Sequence, residues 1–523
     1  MFAELIIFII TTLLFYYIYV YKKIHYFFRN KDVKFLPGVP IFGNMYDSTF
    51  GKKHYIEDLE TVYKAFPNEK YVGLIEGCAP IVLIRDPELI KIITIKDFDY
   101  FVNHKQFFDE DTDPLIGGSL FMMKGDKWRD MRVTLSPAFT GSKMRLMMNF
   151  MSQVSYNIID YIKDHVSEEI HIDDLTRRYT LDVIASAGFG LQVNSVKEKD
   201  NEFFKMSNKL FIPGLKQKLA MFIASQYPKL SKKLGWKILS EETMSYFKNT
   251  IAYTINDREI NNIVRPDMIH LLLEAYKGTL KATQAEKDDI GFATTDEVLK
   301  PRGGIRKWTE DEIMSQLFAF FAAGFDSVAG AITASVHELA INPGVQEKLY
   351  QEIKEFEENN KTLSYENVGQ LKYLDCVVNE TLRKWPPSIF MDRVCTKPYE
   401  LPSPREGGKP YRLNPGDIVY NMVNVIHMDE QYHPRPHAFD PDRFSDENKH
   451  KITPFTFMPF GMGPRNCIAS RFALLEIKVI LYDLVLNYRI VKSANTKDPA
   501  RLKRDDFRIK IFGGTYVKFE LRH

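Results

Sequence analysis

The chain has 523 residues, of which 45% are hydrophobic and 26% charged, with a formal net charge of +2. Only 28 Gly and 26 Pro exclude a collagen-like or low-complexity chain, and the near-balanced charge leaves no whole-chain footprint for nucleic acid. Four cysteines exclude a disulfide-stapled secreted domain.

Residues 5–21 carry no formal charge. As a helix they would span about 26 Å, close to the ~27 Å hydrocarbon core of an endoplasmic reticulum bilayer. Tyr16, Tyr17, Tyr19 and Tyr21 crowd one end, where amphipathic rings favour the interface, and Lys22, Lys23, Arg29, Lys31 and Lys34 follow. A cleaved signal peptide would carry its positive charge before the apolar run. Residues 1–21 therefore read as an uncleaved membrane anchor that leaves the rest of the chain on the cytoplasmic side. Residues 22–44, basic and ending in Leu36-Pro37-Gly38-Val39-Pro40, read as a linker, and residues 45–523 as the body.

Residues 70–84 have the pattern of a β-hairpin turning through Gly77. Helical stretches fill about 120–260 and 309–384. Between them, 276–307 is polar and reads as an exposed loop. From 385 to 460 the chain is Pro-rich and irregular, 470–487 is helical again, and 505–521 reads as short strands around Gly513-Gly514. The prediction is a mainly α (α+β) body, one large helical domain with small β-sheets and no flexible linker dividing it.

The chemistry concentrates at Phe460-Gly461-Met462-Gly463-Pro464-Arg465-Asn466-Cys467. Two glycines and a proline force a tight loop whose backbone can approach a flat object closely. Cys467 stands just ahead of the helix starting near Ser470, where free N–H groups and the dipole favour a thiolate, the form that ligates soft iron. On the loop alone, a plain buried cysteine remains open. A nucleotide loop does not fit, because no strand leads in and no Gly-Lys-Ser/Thr follows. His427 and His433, six apart in an irregular stretch, read as a solvated loop rather than a zinc site.

The string Phe460-x-x-Gly463-x-Arg465-x-Cys467 resembles the haem-binding signature of the cytochrome P450 family, and its continuation through Arg471-Phe472-Ala473-Leu474-Leu475-Glu476 looks most like insect members of the microsomal drug- and toxin-metabolising clan. The resemblance implies the P450 fold for 45–523 as a haem-thiolate catalytic domain, haem b as cofactor and Cys467 as the iron ligand. One departure is Ala469, where the family usually has Gly.

Three further motifs follow the family's order. Glu380-Thr381-Leu382-Arg383 is similar to its Glu-x-x-Arg, and Pro441-Asp442-Arg443-Phe444 to the element whose Arg completes a buried structural triad with that pair. Ala323-Gly324-Phe325-Asp326-Ser327 is similar to its oxygen-binding groove, in a helix opened by the capping box Thr309-x-x-Glu312. There the resemblance implies proton delivery by Asp326 and Ser327, with Ser in place of the usual Thr. Read alone, the same run is an ordinary helix with a solvent-facing Asp. The resemblance also assigns Trp128, Arg132, Arg393 and Arg465 to the haem propionates. It assigns Leu120, Phe121, Ala319, Ala322, Ala323, Ile389 and Phe390, with the turn at 512–514, to a pocket for lipophilic substrates.

No flavin or nicotinamide fingerprint is present, so the resemblance implies electrons from NADPH through NADPH–cytochrome P450 reductase, with cytochrome b5 as a second donor. Lys124, Lys127, Arg129 and Lys451 are expected to form the docking face. Residues 219–224 are expected to dip into the membrane. The leading reading is a monooxygenase of the endoplasmic reticulum that detoxifies xenobiotics such as plant toxins and insecticides. Its rivals are oxidation of a hormone or fatty acid, a reductase-independent haem-thiolate isomerase, and a haem sensor.

Overall fold

A computed structural model describes residues 2–277, 292 and 306–522, apart from positions 109, 111–112, 212–214, 236, 238, 266 and 360–361. Most of the expected 276–307 loop lies outside the described residues.

The first helix, Phe2–Val20, presents its described side chains to the exterior: Ile7, Phe8 and Phe15 are among the exposed apolar residues. An apolar helix that turns such side chains outward is what an anchor requires. The expected hairpin is present as Tyr71–Glu76 and Ala79–Ile84. It heads a four-stranded sheet in the order Tyr71–Glu76, Ala79–Ile84, Ile418–Met422, Phe390–Val394, whose second and third strands run parallel. This sheet builds the smaller of two apolar cores, with Leu74, Ile81, Leu83 and Val419 buried.

The larger core is helical and surrounds one long helix, Glu310–Ile341. Its capping box forms as expected: Thr309 Oγ1 accepts the Glu312 N–H (3.2 Å) and Glu312 Oε2 accepts the Thr309 N–H (2.9 Å). By length and apolar composition this helix could cross a membrane, but over half of its most apolar window is buried among other helices, which makes it the centre of the body. Its tightest neighbour is the helix Ile172–Ile184. Gly324 marks the contact, since a methyl at that position would stand 2.5 Å from Ile184 Cδ1. The local reason for that glycine is therefore helix–helix packing.

The C-terminal part differs from expectation in detail. Ser470–Asn487 is the predicted helix. Beyond it come two strands, Tyr488–Lys492 and Tyr516–Leu521, and the latter sits in the middle of a three-stranded sheet between the former and Ile170–His171. Residues 502 and 511 form only an isolated bridge. The intervening segment leaves the helical core, packs Leu502 and Ile509 against the smaller core, and returns.

Candidate active site

Gly461 and Gly463 have φ of +77° and +69°, the left-handed region that glycine enters freely. A methyl on Gly463 would run into the carbonyl oxygen of Thr94. These turns close the loop, and the Cys467 N–H returns to the Phe460 carbonyl at 2.8 Å. Of the four cysteines only Cys467 is exposed. Desolvation by the surrounding protein nonetheless pushes its thiol up, opposed by the Ala469 N–H and the Arg132 guanidinium. That direction runs against the thiolate preference expected at a helix start.

The arginines behind this loop are placed by the helix Gly125–Leu135, which sets Trp128 and Arg132 on one face. Arg132 donates to the Asn466 carbonyl (2.9 Å) and to Asn466 Oδ1 (2.6 Å). Arg465 gives its donors to main-chain carbonyls of Val102 (2.8 Å), Leu120 (3.1 Å) and Met123 (2.6 Å). Burial and the nearby Arg393 and Arg132 pull Arg465 well below the usual arginine range. Arg393, on the strand Phe390–Val394, is fully buried. It donates to the Asp392 carbonyl (2.7 Å), its Nε has no partner, and burial lowers it to about 10.

Sequence reasoning missed His104. Its Nδ1 is 2.9 Å from Asp392 Oδ1, and its ring stacks on Phe121 at 4.4 Å. Asp392 also accepts the Lys105 N–H. Nothing in the run Asn103-His104-Lys105 signals a partner nearly 300 residues away.

Arg393 and the Arg465 guanidinium are thus buried with their donors on main-chain carbonyls, while the nearby Asp392 carboxylate is engaged by His104 and the Lys105 N–H. An orphaned, fully buried Arg393 Nε and buried guanidiniums bonded only to neutral carbonyls suit a group that brings carboxylates. Haem b carries two propionates, so this donor set fits it.

Along the core helix, Ala323 is exposed and Ala319, Ala322 and Ser327 are partly so, in a helix otherwise packed on most sides. The Ser327 hydroxyl donates to the Ala323 carbonyl at 2.5 Å. Asp326 does not face solvent, as the plain reading of the motif had it: Arg177 Nη1 donates to its Oδ1 (2.8 Å) and Arg508 Nη1 to its Oδ2 (2.9 Å), with Lys510 Nζ 3.6 Å away. Leu120 and Ile389 are buried, Phe121 is half exposed, and Phe390 stacks on Tyr420 at 4.3 Å.

The structural triad forms as the motifs require. Glu380 binds Arg383 through Nε (2.7 Å) and Nη2 (2.9 Å), all fully buried, and Arg443 Nε reaches the same carboxylate at 3.3 Å. Arg383 also donates to the His427 and Pro436 carbonyls at 2.9 and 2.8 Å.

Several expectations need correction. His427 and His433 are buried, not solvated: His427 Nε2 accepts the Met458 N–H at 2.9 Å, and His433 Nε2 meets the Thr456 carbonyl at 3.1 Å. They tie the triad to the chain leading into the Cys467 loop. The Gly513-Gly514 turn sits against His171 and Lys497 at the surface, and the C-terminal side chains that meet Asp326 on the core helix are Arg508 and Lys510. Of the expected basic face, Arg129 is buried and paired with Asp99 (2.9 Å), and Lys127 is paired with Glu110 and Glu312 (3.0 Å each). Lys124 and Lys451 remain exposed.

The family model for cytochrome P450 matches residues 33–511. The chain belongs to the cytochrome P450 family. Among its relatives, cytochrome P450 9e2 of Blattella germanica is 38% identical, with 95% of this chain and 94% of that protein covered. Probable cytochrome P450 9f2 of Drosophila melanogaster is 38% identical, with 95% of each covered. Cytochrome P450 6j1 of Blattella germanica is 29% identical over 96% of this chain and 94% of that protein. The enzyme is thus a P450 monooxygenase of the insect type, working with haem b, a redox partner that supplies electrons, and lipophilic substrates.

Proposed function

We propose that this P450 is anchored in the endoplasmic reticulum by residues 1–21. Residues 22–44 form the linker, and the catalytic domain 45–523 lies on the cytoplasmic side. Its substrates are xenobiotics such as plant toxins and insecticides. Its electrons come from NADPH through NADPH–cytochrome P450 reductase, with cytochrome b5 as a second donor. The exposed apolar helix Phe2–Val20 supports the anchor, and the insect relatives support the substrate class.

When bound, the haem supplies reductive activation of O2, by which one oxygen atom enters the substrate and the other leaves as water. Cys467, once deprotonated, would ligate the iron. Arg132, Arg393 and Arg465, with Trp128, would hold the propionates. Ser327 handles protons: its own hydrogen is committed to the Ala323 carbonyl, so its lone pairs are free to accept. Asp326 supplies the neighbouring acid. Ala319, Ala322 and Ala323 leave room beside the reacting centre, and Leu120, Phe121, Ile389 and Phe390 give apolar walls that exclude water from it. The observation that carries this reading is the exposed Cys467 on its glycine loop, near the buried Arg393 with its orphaned Nε and the buried Arg465 guanidinium.

The test uses purified full-length protein. The reduced carbon monoxide complex must give the thiolate-type spectrum, and Cys467→Ser must lose it. Reconstitution with the reductase and a panel of plant toxins, insecticides, a steroid hormone and a fatty acid then reads the substrate class. Turnover confined to the hormone or fatty acid overturns the xenobiotic assignment, and product without NADPH overturns the monooxygenase reading.

A further inference from the structure

Arg508 stands at a junction that the catalytic reading does not use. Its guanidinium forks onto Asp506, with Nε to Oδ1 at 2.8 Å and Nη2 to Oδ2 at 2.6 Å, and turns its third edge to Asp326 at 2.9 Å. Its carbonyl meets His54 Nε2 at 3.1 Å. His54 caps the helix Tyr55–Lys64 of the smaller core, and Asp326 belongs to the central helix of the larger one. One residue therefore links both cores to the acid beside Ser327.

The surroundings are charged on every side. Arg177 and Asp173 face Asp326 from the helix Ile172–Ile184, and Lys510 and Asp506 face it from the C-terminal segment. The side chains of Asp326, Arg177 and Arg508 are 12%, 12% and 19% exposed, so these charges are weakly screened. Next to them lies a cavity of about 20 Å³ lined by Asp173, Thr176, Arg177, Asp326, Thr333 and Lys510, room for about one water among polar groups.

We propose that Arg508 is a positioning residue for monooxygenation: its fork on Asp506 and its single bond to Asp326 fix the carboxylate beside Ser327 and tie the oxygen-side helix to the C-terminal segment across the seam between the two cores. The proposal rests on the reading of Asp326 as a proton-handling acid. A guanidinium serves here because its planar fork holds two carboxylates at fixed angles, which an ammonium cannot do. Arg177 holds the other oxygen of Asp326, so the carboxylate keeps one orientation unless a partner lets go.

The test is a double-mutant cycle on the full-length holoenzyme with reductase, each variant first checked for the thiolate-type carbon monoxide spectrum. The readings are the rate of NADPH oxidation in H2O and D2O with 7-ethoxycoumarin as lipophilic probe, and amide hydrogen exchange of residues 500–515 in the protein without probe. Asp326→Asn and Arg508→Gln are each expected to slow NADPH oxidation about ten-fold with an enlarged solvent isotope effect, and the double variant to be no slower than Asp326→Asn. Arg508→Lys should recover about half of the lost rate on a logarithmic scale, because charge returns without the fork. Exchange of 500–515 should quicken about five-fold or more in Arg508→Gln. If Arg508→Gln slows the enzyme equally with Asp or Asn at 326, its role is merely structural and the proposal fails. Unchanged exchange also overturns it. An Asp326→Asn enzyme of normal rate and isotope effect removes the underlying reading of Asp326, a different failure seen before Arg508 is altered.

Discussion

The guanidinium of Arg465 lies over the indole of Trp128, its carbon 4.0 Å from the ring centroid, while its donors are spent on four main-chain carbonyls between residues 102 and 123. The cationic wall and the chain segment ahead of the helix Gly125–Leu135 are therefore one construction. Stacking on an aromatic face and a planar fork of donors are both properties of arginine that lysine lacks.

Arg465→Lys is accordingly expected to cost about 2–3 kcal/mol, since charged hydrogen bonds to carbonyls are left unmade in a buried place. Thermal unfolding of the purified protein and the haem-to-protein ratio read this directly: a lower melting temperature and less retained haem. An unchanged ratio would contradict the role given to Arg465.

Glu380→Gln removes the carboxylate that pairs with Arg383, whose side chain is fully buried. Breaking a buried pair from one side costs about 3–5 kcal/mol because the other charge is stranded. The expected outcome is little or no folded haemoprotein. Arg443→Gln, whose bond to Glu380 is longer and whose side chain is partly exposed, should be milder, and the ratio of holoprotein yields ranks the two.

Acid stability follows from the buried histidines. Burial lowers His104 and His433 to about 4 and His427 well below its usual value. The folded protein refuses a proton that the unfolded chain takes near 6.5. Their contribution is complete above about pH 6.5 and is lost as pH falls toward 4, at ~1.4 kcal/mol per pH unit for each group. Stability should drop steeply over that window, and His433→Gln should flatten the slope by about one such increment. Denaturant midpoints at half-unit pH steps measure it.

Membrane contact should not depend on the first helix alone. In the helix Leu215–Gln226 the apolar run expected to touch lipid is only partly available: Ala220 and Ala224 are buried and Leu219 is exposed. Leu230 and Leu234 nearby are exposed too. In protein lacking residues 1–25, Leu219→Asp with Leu230→Asp should weaken binding to phosphatidylcholine vesicles by at least about ten-fold, as charges replace two apolar contacts. Equal vesicle flotation of both forms would assign these leucines to something else.

What the sequence made legible was local. Gly461, Gly463 and Cys467 sit within seven positions, so the loop that they force can be read directly. Glu380 and Arg383 are one helical turn apart, and the capping box of the core helix is four consecutive residues. What stayed hidden depends on partners far along the chain. Arg177 lies 149 positions and Arg508 182 positions from Asp326, and His104 is 288 from Asp392. A charged residue in a single sequence reads as surface until the fold brings its counter-charge, which is why Arg129, His427 and His433 were misplaced. The packing reason for Gly324 is hidden in the same way, since it is Ile184 on another helix.

At position 463 the obstacle to any side chain is the main-chain oxygen of residue 94, and every amino acid carries that oxygen. No replacement at 94 can therefore open space, and compensation by a second mutation is closed off. In a library randomised at both sites, 94 would drift while 463 returned to glycine in every active survivor.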